Sequence, residues 1–390
     1  MSILFVTSYY GLEILGFLAF FQALTYLINV FIKFGFTQSI YQLKSNNDTR
    51  LRLNIYLFQI WSFIAFLLVI LMGLFIFYIF KTYYENFFLA SFLALMTSWI
   101  SIESNFRLPD NNPIKALALE DLLPGFLFFA MLIGNYFFDF HENLLSIYFF
   151  SFLPSFLVVL FLRISDLNNE SLVYSTKLLL QILRKNFNFF LLSLSQLGHS
   201  HGAIILLSII ATNEELGAFR FALALLALCS TVSSSFATEA QRKASISDDE
   251  NNIKKTFTKF ARINFCLYAF SFSLLLIIYL NFEIFSILKL SQFLLSMCLV
   301  LFSINLIKSI FGFPDPYLIS REYEESVSIL FIVVTFLVYL LAMILFSLNL
   351  TNVLIITGIL SSAQLISVLF YESLLIRRFN IRSDIFTGYK

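Results

Sequence analysis

The sequence predicts an all-α, polytopic membrane protein made of two related, pseudo-symmetric helical lobes. Three observations carry this: little charge, long uncharged apolar runs, and an internal echo. Of 390 residues, 59% are hydrophobic, 18% aromatic and only 13% charged, whereas soluble domains carry roughly a quarter charged residues. Runs such as "IYLFQIWSFIAFLLVILMGLFIFYIF" (55–80) contain no charge at all. About 20 apolar residues cross the hydrocarbon core as a helix. Lipid offers no partner to an unpaired backbone group, so such runs must be helical.

Eleven spans follow in order, at about 12–33, 55–80, 86–105, 114–137, 143–163, 187–211, 215–238, 262–281, 291–312, 326–347 and 352–376. The leading "MSILFVTSYYG" has no basic n-region and no small-residue cleavage site, so it is not a signal peptide. The fourth span opens on Asn112 and Pro113, a good N-cap followed by proline at the first helical position. Pro124 and Pro154 would interrupt helix hydrogen bonding in the fourth and fifth spans. Cys229, Cys266 and Cys298 all fall inside apolar runs, which suggests neither a disulfide framework nor a metal site.

The loops orient the spans. Of 25 Lys and Arg residues, 22 fall on one side, and only Lys81, Arg220 and Lys289 on the other. The positive-inside rule makes the rich side cytoplasmic and places the C-terminus there. With eleven spans the N-terminus lies outside. The outer loops are very short, and the longest inner ones (164–186 and 239–261) are too short for a folded domain. Function therefore resides within or between the helices, and no nucleic-acid partner or cofactor is expected.

The echo is Glu-x-x-Gly followed by an apolar run, at Glu13/Gly16 and again at Glu214/Gly217, 201 positions later. From Glu214 onward five spans follow, and a sixth (187–210) precedes it. From Glu13 onward five follow, with only twelve residues before, about 18 Å of helix. Two halves of the same hand form a parallel repeat about an axis along the membrane normal. The expected division is an N-terminal lobe 1–165, a cytoplasmic linker 166–186 and a C-terminal lobe 187–390, with the first lobe lacking its first helix.

"YYGLEILGFLAFFQALTYLINVFIKFGFTQSI" (9–40) resembles the second-helix region of bacterial oligosaccharide-lipid flippases, in Gly11, Glu13, Gly16, Gly35 and Phe36. These are the O-antigen and polysaccharide exporters of the multidrug/oligosaccharidyl-lipid/polysaccharide superfamily. "LGAFRFAL" (216–223) is similar to their eighth helix, and "PYLISREYEESVSIL" (316–330) to the loop into their eleventh. The resemblance implies six helices per lobe around a central cavity, both termini cytoplasmic, and a location in the bacterial inner membrane. It implies flipping of undecaprenyl-pyrophosphate-linked oligosaccharide by alternating access, with membrane lipids and polysaccharide assembly proteins as partners. Two other readings stand beside it: a cation-coupled multidrug antiporter of the same superfamily, and an O-antigen polymerase or polytopic glycosyltransferase. The short outer loops argue against the enzyme.

A sugar chain and pyrophosphate need a polar path and cations, because burying such groups unpaired is costly. Ionisable residues inside spans are the places to look. His199 and His201 lie mid-span; Ser195 and His199 share a helix face at i and i+4, and Gln196, three residues before His199, flanks it. His199 would contact phosphate or carry a coupling proton; a helix–helix hydrogen bond fits equally. Arg220 would meet an emerging pyrophosphate, or snorkel to the interface. Glu120 and Asp121 are the coupling-ion candidates, or carboxylates favoured near a helix N-terminus. Gln22 and Asn29 share a face at i and i+7 and would bond sugar hydroxyls or neighbouring helices. Lys33, Arg107 and Lys308 would form a basic inner mouth or merely set topology.

Overall fold

The structure is a computed structural model that describes residues 2–36, 51–80, 84–107, 120, 122–138, 144–167, 176–197, 201–246, 250–281, 291–315, 318, 323–348, 352–379 and 384–385. These residues form helices throughout: α1 (Ser2–Lys33), α2 (Leu51–Phe80), α3 (Tyr84–Arg107), α4 (Leu123–Phe138), α5 (Leu144–Leu167) and α6 (Thr176–Leu197) in the first half. The second half supplies α7 (Ala203–Leu207), α8 (Asn213–Ile246), α9 (Glu250–Leu280), α10 (Gln292–Ile310), α11 (Glu324–Ser347) and α12 (Val353–Phe379). Among the described residues, nine helices are long and apolar enough to cross a membrane. Phe161, Phe270 and Phe336 are 75%, 71% and 65% exposed. Apolar exposure on that scale around helices this long suits lipid, not water. Hydroxyls obey the same rule: Thr25, Ser98, Ser271 and Ser367 donate to carbonyls one turn back in their own helices, at 2.6–2.9 Å.

Two of the eleven expected spans are described in part. Of the fourth, the π-helical residues Glu120 and Leu122 and the helix α4 from Leu123 are described. Pro124 sits where that π turn passes into α4. Asn112 and Pro113 lie outside the described residues. Pro154 does lie inside α5. Of the sixth, α6 is described to Leu197, and a π turn at His201 and Gly202 leads into the five-residue α7; residues 198–200 lie outside the described residues.

The chain forms two compact units. Unit 1 comprises Met1–Phe5 and Leu18–Leu197; unit 2 comprises Val6–Phe17 and Gly198–Lys390. In unit 1, α2 packs on α3, α3 on α5, and α4 on α5. In unit 2, α9 packs on α10, α10 on α12, and α11 on α12. The second set repeats the first, seven helices later. Phe36, Ile55, Phe58 and Ile102 centre one core of unit 1. Phe257, Phe313, Leu318, Val327 and Tyr371 belong to one core of unit 2.

Glycines place both halves of α1. Gly11, at φ +86°, breaks the helix after residue 10. The segment behind it then packs in unit 2 against the start of α8, glycine on glycine. A Cβ on Gly16 would collide with the Asn213 carbonyl oxygen, and one on Gly217 with that of Leu12. Leu12 and Asn213 are themselves 201 positions apart, so the two copies of the echo meet reciprocally. At the far end of α1, Gly35 adopts φ +74° and lies so close to α6 that a Cβ would stand 2.6 Å from the Asn186 oxygen. Phe36, fully buried, meets Phe58 edge-on with ring centroids 5.5 Å apart.

The start of α8 carries a capping box. Glu215 N donates to Thr212 Oγ1 at 3.3 Å, and Thr212 N to Glu215 Oε2 at 2.8 Å. Thr212→Ala is expected to cost about 1 kcal/mol, read as a lower thermal midpoint of the purified protein, with Thr212→Ser restoring it.

Candidate functional site: a polar cavity in each unit

Each unit encloses a cavity. That of unit 1 is small, about 80 Å³, and is lined by Thr25, Tyr26, Asn29 and Lys33 of α1, Thr97 and Ile100 of α3, Glu120, and Tyr148 and Phe152 of α5. Asn29 is buried; its Nδ2 donates to Thr97 Oγ1 at 2.7 Å and to the Ala94 oxygen at 3.5 Å. The amide is held by the neighbouring helix while the cavity retains one lysine and one carboxylate.

The cavity of unit 2 is far larger, about 540 Å³. Its wall on α8 runs from Arg220 to Ala237, about 25 Å of helix at 1.5 Å per residue. That is most of the thickness of a hydrocarbon core. Arg220 and His201 line one end of this wall, and Ser230 and Ser233 its middle. Asn264, Tyr268, Asn305, Lys308, Asp315, Gln364 and Tyr371 come from α9, α10, the segment after α10, and α12. Lys308 Nζ donates to Gln364 Oε1 at 3.0 Å. Tyr371 Oη donates to the Val327 oxygen at 3.0 Å, and Asn305 Nδ2 to the Leu301 oxygen at 2.9 Å. Asn264 is 4% exposed, and its buried Oδ1 accepts no hydrogen bond. Burial pushes the Asp315 carboxyl above the usual carboxylate range; the Lys308 cation and the residue's own backbone N–H pull against that.

The two cavities are lined by matching positions. Thr25, Tyr26 and Asn29 return 201 positions later as Leu226, Ala227 and Ser230. Thr97 and Ile100 return 208 positions later as Asn305 and Lys308, Glu120 after 211 as Phe331, and Tyr148 and Phe152 after 216 as Gln364 and Val368. The offset grows only forwards, as expected where inter-helix segments lengthen while the helix faces are kept. One duplicated helix arrangement therefore builds both pockets, and the chemistry inside them has diverged.

The candidates read from sequence are distributed as follows. Asn29 and Glu120 meet in the cavity of unit 1, and His201 and Arg220 in that of unit 2. Gln22 is half-buried on α1 and does not line the cavity that Asn29 lines. His199 and Asp121 lie outside the described residues, and Gln196 is placed on α6 without a described side chain. The expected Ser195–His199 face therefore falls partly outside the described residues. Sequence reading assigned no role to Asp315, Gln364, Asn264, Asn305 or Tyr371, and gave Lys308 a place in a basic inner mouth or a topological role. A lysine inside "LFSINLIKSIFG" is itself the signal, since an ionisable group in an apolar span marks function by default.

No protein-family model matches the chain, and no curated protein matches it. Solved structures do. One is a MATE family multidrug resistance transporter of the MOP superfamily in an inward-facing conformation, at TM-score 0.69 and 15% identity, covering 97% of this chain and 94% of that one. Another is the lipid II flippase MurJ in an inward closed conformation, at TM-score 0.64 and 14% identity, covering 96% of this chain and 87% of that one. The chain thus shares, over nearly its whole length, the fold of these two membrane transport proteins.

Proposed function

We propose that this protein is a transporter that flips undecaprenyl-pyrophosphate-linked oligosaccharide, an O-antigen or other surface-polysaccharide repeat unit, across the bacterial inner membrane. The observation that carries the reading is the duplicated helix arrangement with matched cavities, in a fold shared with a lipid II flippase. Two halves of one hand suit transport by alternating access. Basic inner loops set the C-terminus in the cytoplasm. Arg220, His201 and Lys308 offer charged and polar partners to phosphate, and the Asn29 side-chain oxygen offers an acceptor to a sugar hydroxyl.

Deleting the gene at its native locus is expected to remove the surface glycan and leave the lipid-linked oligosaccharide accumulating inside. The wild-type gene restores export, and Arg220→Ala restores it about tenfold less well, the loss of one charge-assisted contact. Undiminished glycan in the deletion strain would overturn the reading. A second reading, a multidrug antiporter, is favoured by the likeness to the MATE transporter. It is expected to change drug susceptibility on deletion and leave the glycan untouched.

A further inference from the structure

We propose that the cavity of unit 2 is a proton site in which Asp315 carries the exchangeable proton and the tethered ammonium of Lys308 takes the place of a free metal cation. Four features of this chain converge. Lys308 and Asp315 line one cavity and act on each other electrostatically. Among the described residues no direct ion pair joins them, so protonating the carboxylate breaks no salt bridge. The Lys308 nitrogen is anchored by Gln364 Oε1 at 3.0 Å, which holds it in the cavity that Asp315 lines. Asn264, on a third helix, presents a buried carbonyl oxygen with no partner into the same space. An orphan buried acceptor calls for a donor, which a hydrated proton or the protonated acid supplies.

The step balances simply. An O–H bond forms on the Asp315 carboxylate as one breaks in hydronium, a neutral water remains, and the charge of the wall rises by one. The other titratable or charged groups on that wall are Lys308 of α10, Tyr371 of α12, Tyr268 of α9, Arg220 of α8, and His201. Arg220 and Lys308 against Asp315 leave the wall net positive before any proton arrives. Sodium would have to enter that positive field and shed its water there, against the cationic side chains of Arg220 and Lys308. Only a proton becomes covalent with the carboxylate and so overcomes that repulsion.

This assignment deepens the transport reading by naming the coupled ion, and its test needs no substrate, so either can fail alone. The purified full-length protein in nanodiscs is titrated while the protonated-carboxyl infrared band is recorded, alongside binding of radioactive sodium. The wild type is expected to show a titrating carboxyl and no saturable sodium binding. Asp315→Asn is expected to lose that band and Asp315→Glu to keep one. Lys308→Met is expected to raise the midpoint by about one pH unit or more, as loss of a neighbouring cation does, while Lys308→Arg leaves it in place. A band surviving in Asp315→Asn, saturable sodium binding in the wild type, or an unmoved midpoint in Lys308→Met would overturn the proposal. Should Asp315→Asn fail to purify, the Lys308 pair and the sodium measurement decide it alone.

Discussion

Gly217→Ala lowers the thermal midpoint of the purified protein sharply, and Gly217→Val prevents its accumulation in the membrane. The first added carbon already collides with the Leu12 carbonyl oxygen, and backbone, unlike a side chain, has no other rotamer to adopt. Relief requires α1 and α8 to separate, which costs the close packing that holds membrane helices together. Overpacking of this kind costs about 1–3 kcal/mol or more. Gly16→Ala is expected to do the same through Asn213, because the contact is reciprocal. Gly125→Ala and Gly134→Ala, where an added Cβ meets nothing within 4 Å, serve as controls and leave the midpoint unchanged or raised. Equal losses at Gly134 and Gly217 would contradict this packing.

Gly35→Val damages unit 1 for two reasons at once. Its φ of +74° is a conformation in which a β-branched residue is strained by about 1–2 kcal/mol. The added side chain would also stand 2.6 Å from the Asn186 oxygen and 2.8 Å from Phe189 Cβ, adding about 1–3 kcal/mol of overpacking. Phe34, which stacks on Phe190 with centroids 4.6 Å apart, and the buried Phe36 would both lose register. The measurement is thermal unfolding in detergent beside Gly35→Asn, a residue that tolerates positive φ better; equal stability of the valine variant and the wild type would contradict the account. Neither glycine prediction depends on what the protein transports.

Most of the helix order was legible because a membrane helix announces itself twice, by length without charge and by the basic residues at its inner end. Where the reading failed, the cause was local. Residues 2–10 were not read as helix, and the break after them at Gly11, φ +86°, was not foreseen, since hydropathy does not register backbone freedom. The Glu-x-x-Gly echo was visible as a repeat; that its glycines pack on each other was not, since sequence periodicity carries no information about which helices meet.

The cavities were half legible. Arg220 and His201 stood out as ionisable groups in apolar runs, and Asn29 and Glu120 as polar residues on helical faces. Asp315 did not, because "PDP" reads as a loop and only tertiary packing returns that loop to the cavity wall. The matching of the two cavities was equally hidden. Thr25, Tyr26 and Asn29 share no identity with Leu226, Ala227 and Ser230; the 201-position offset of the echo relates them, and only the cavities show that both sets line a wall.

The most direct measurement is flipping itself. The purified protein is reconstituted into liposomes carrying a fluorescent undecaprenyl-pyrophosphate oligosaccharide, and the fraction of label reached by an impermeant quencher is followed with time. The account expects wild-type vesicles to expose label from the inner leaflet beyond the half accessible in protein-free vesicles, and Arg220→Ala vesicles to do so about tenfold more slowly. Label that stays confined to its original leaflet in wild-type vesicles, with the protein folded and correctly inserted, would contradict it.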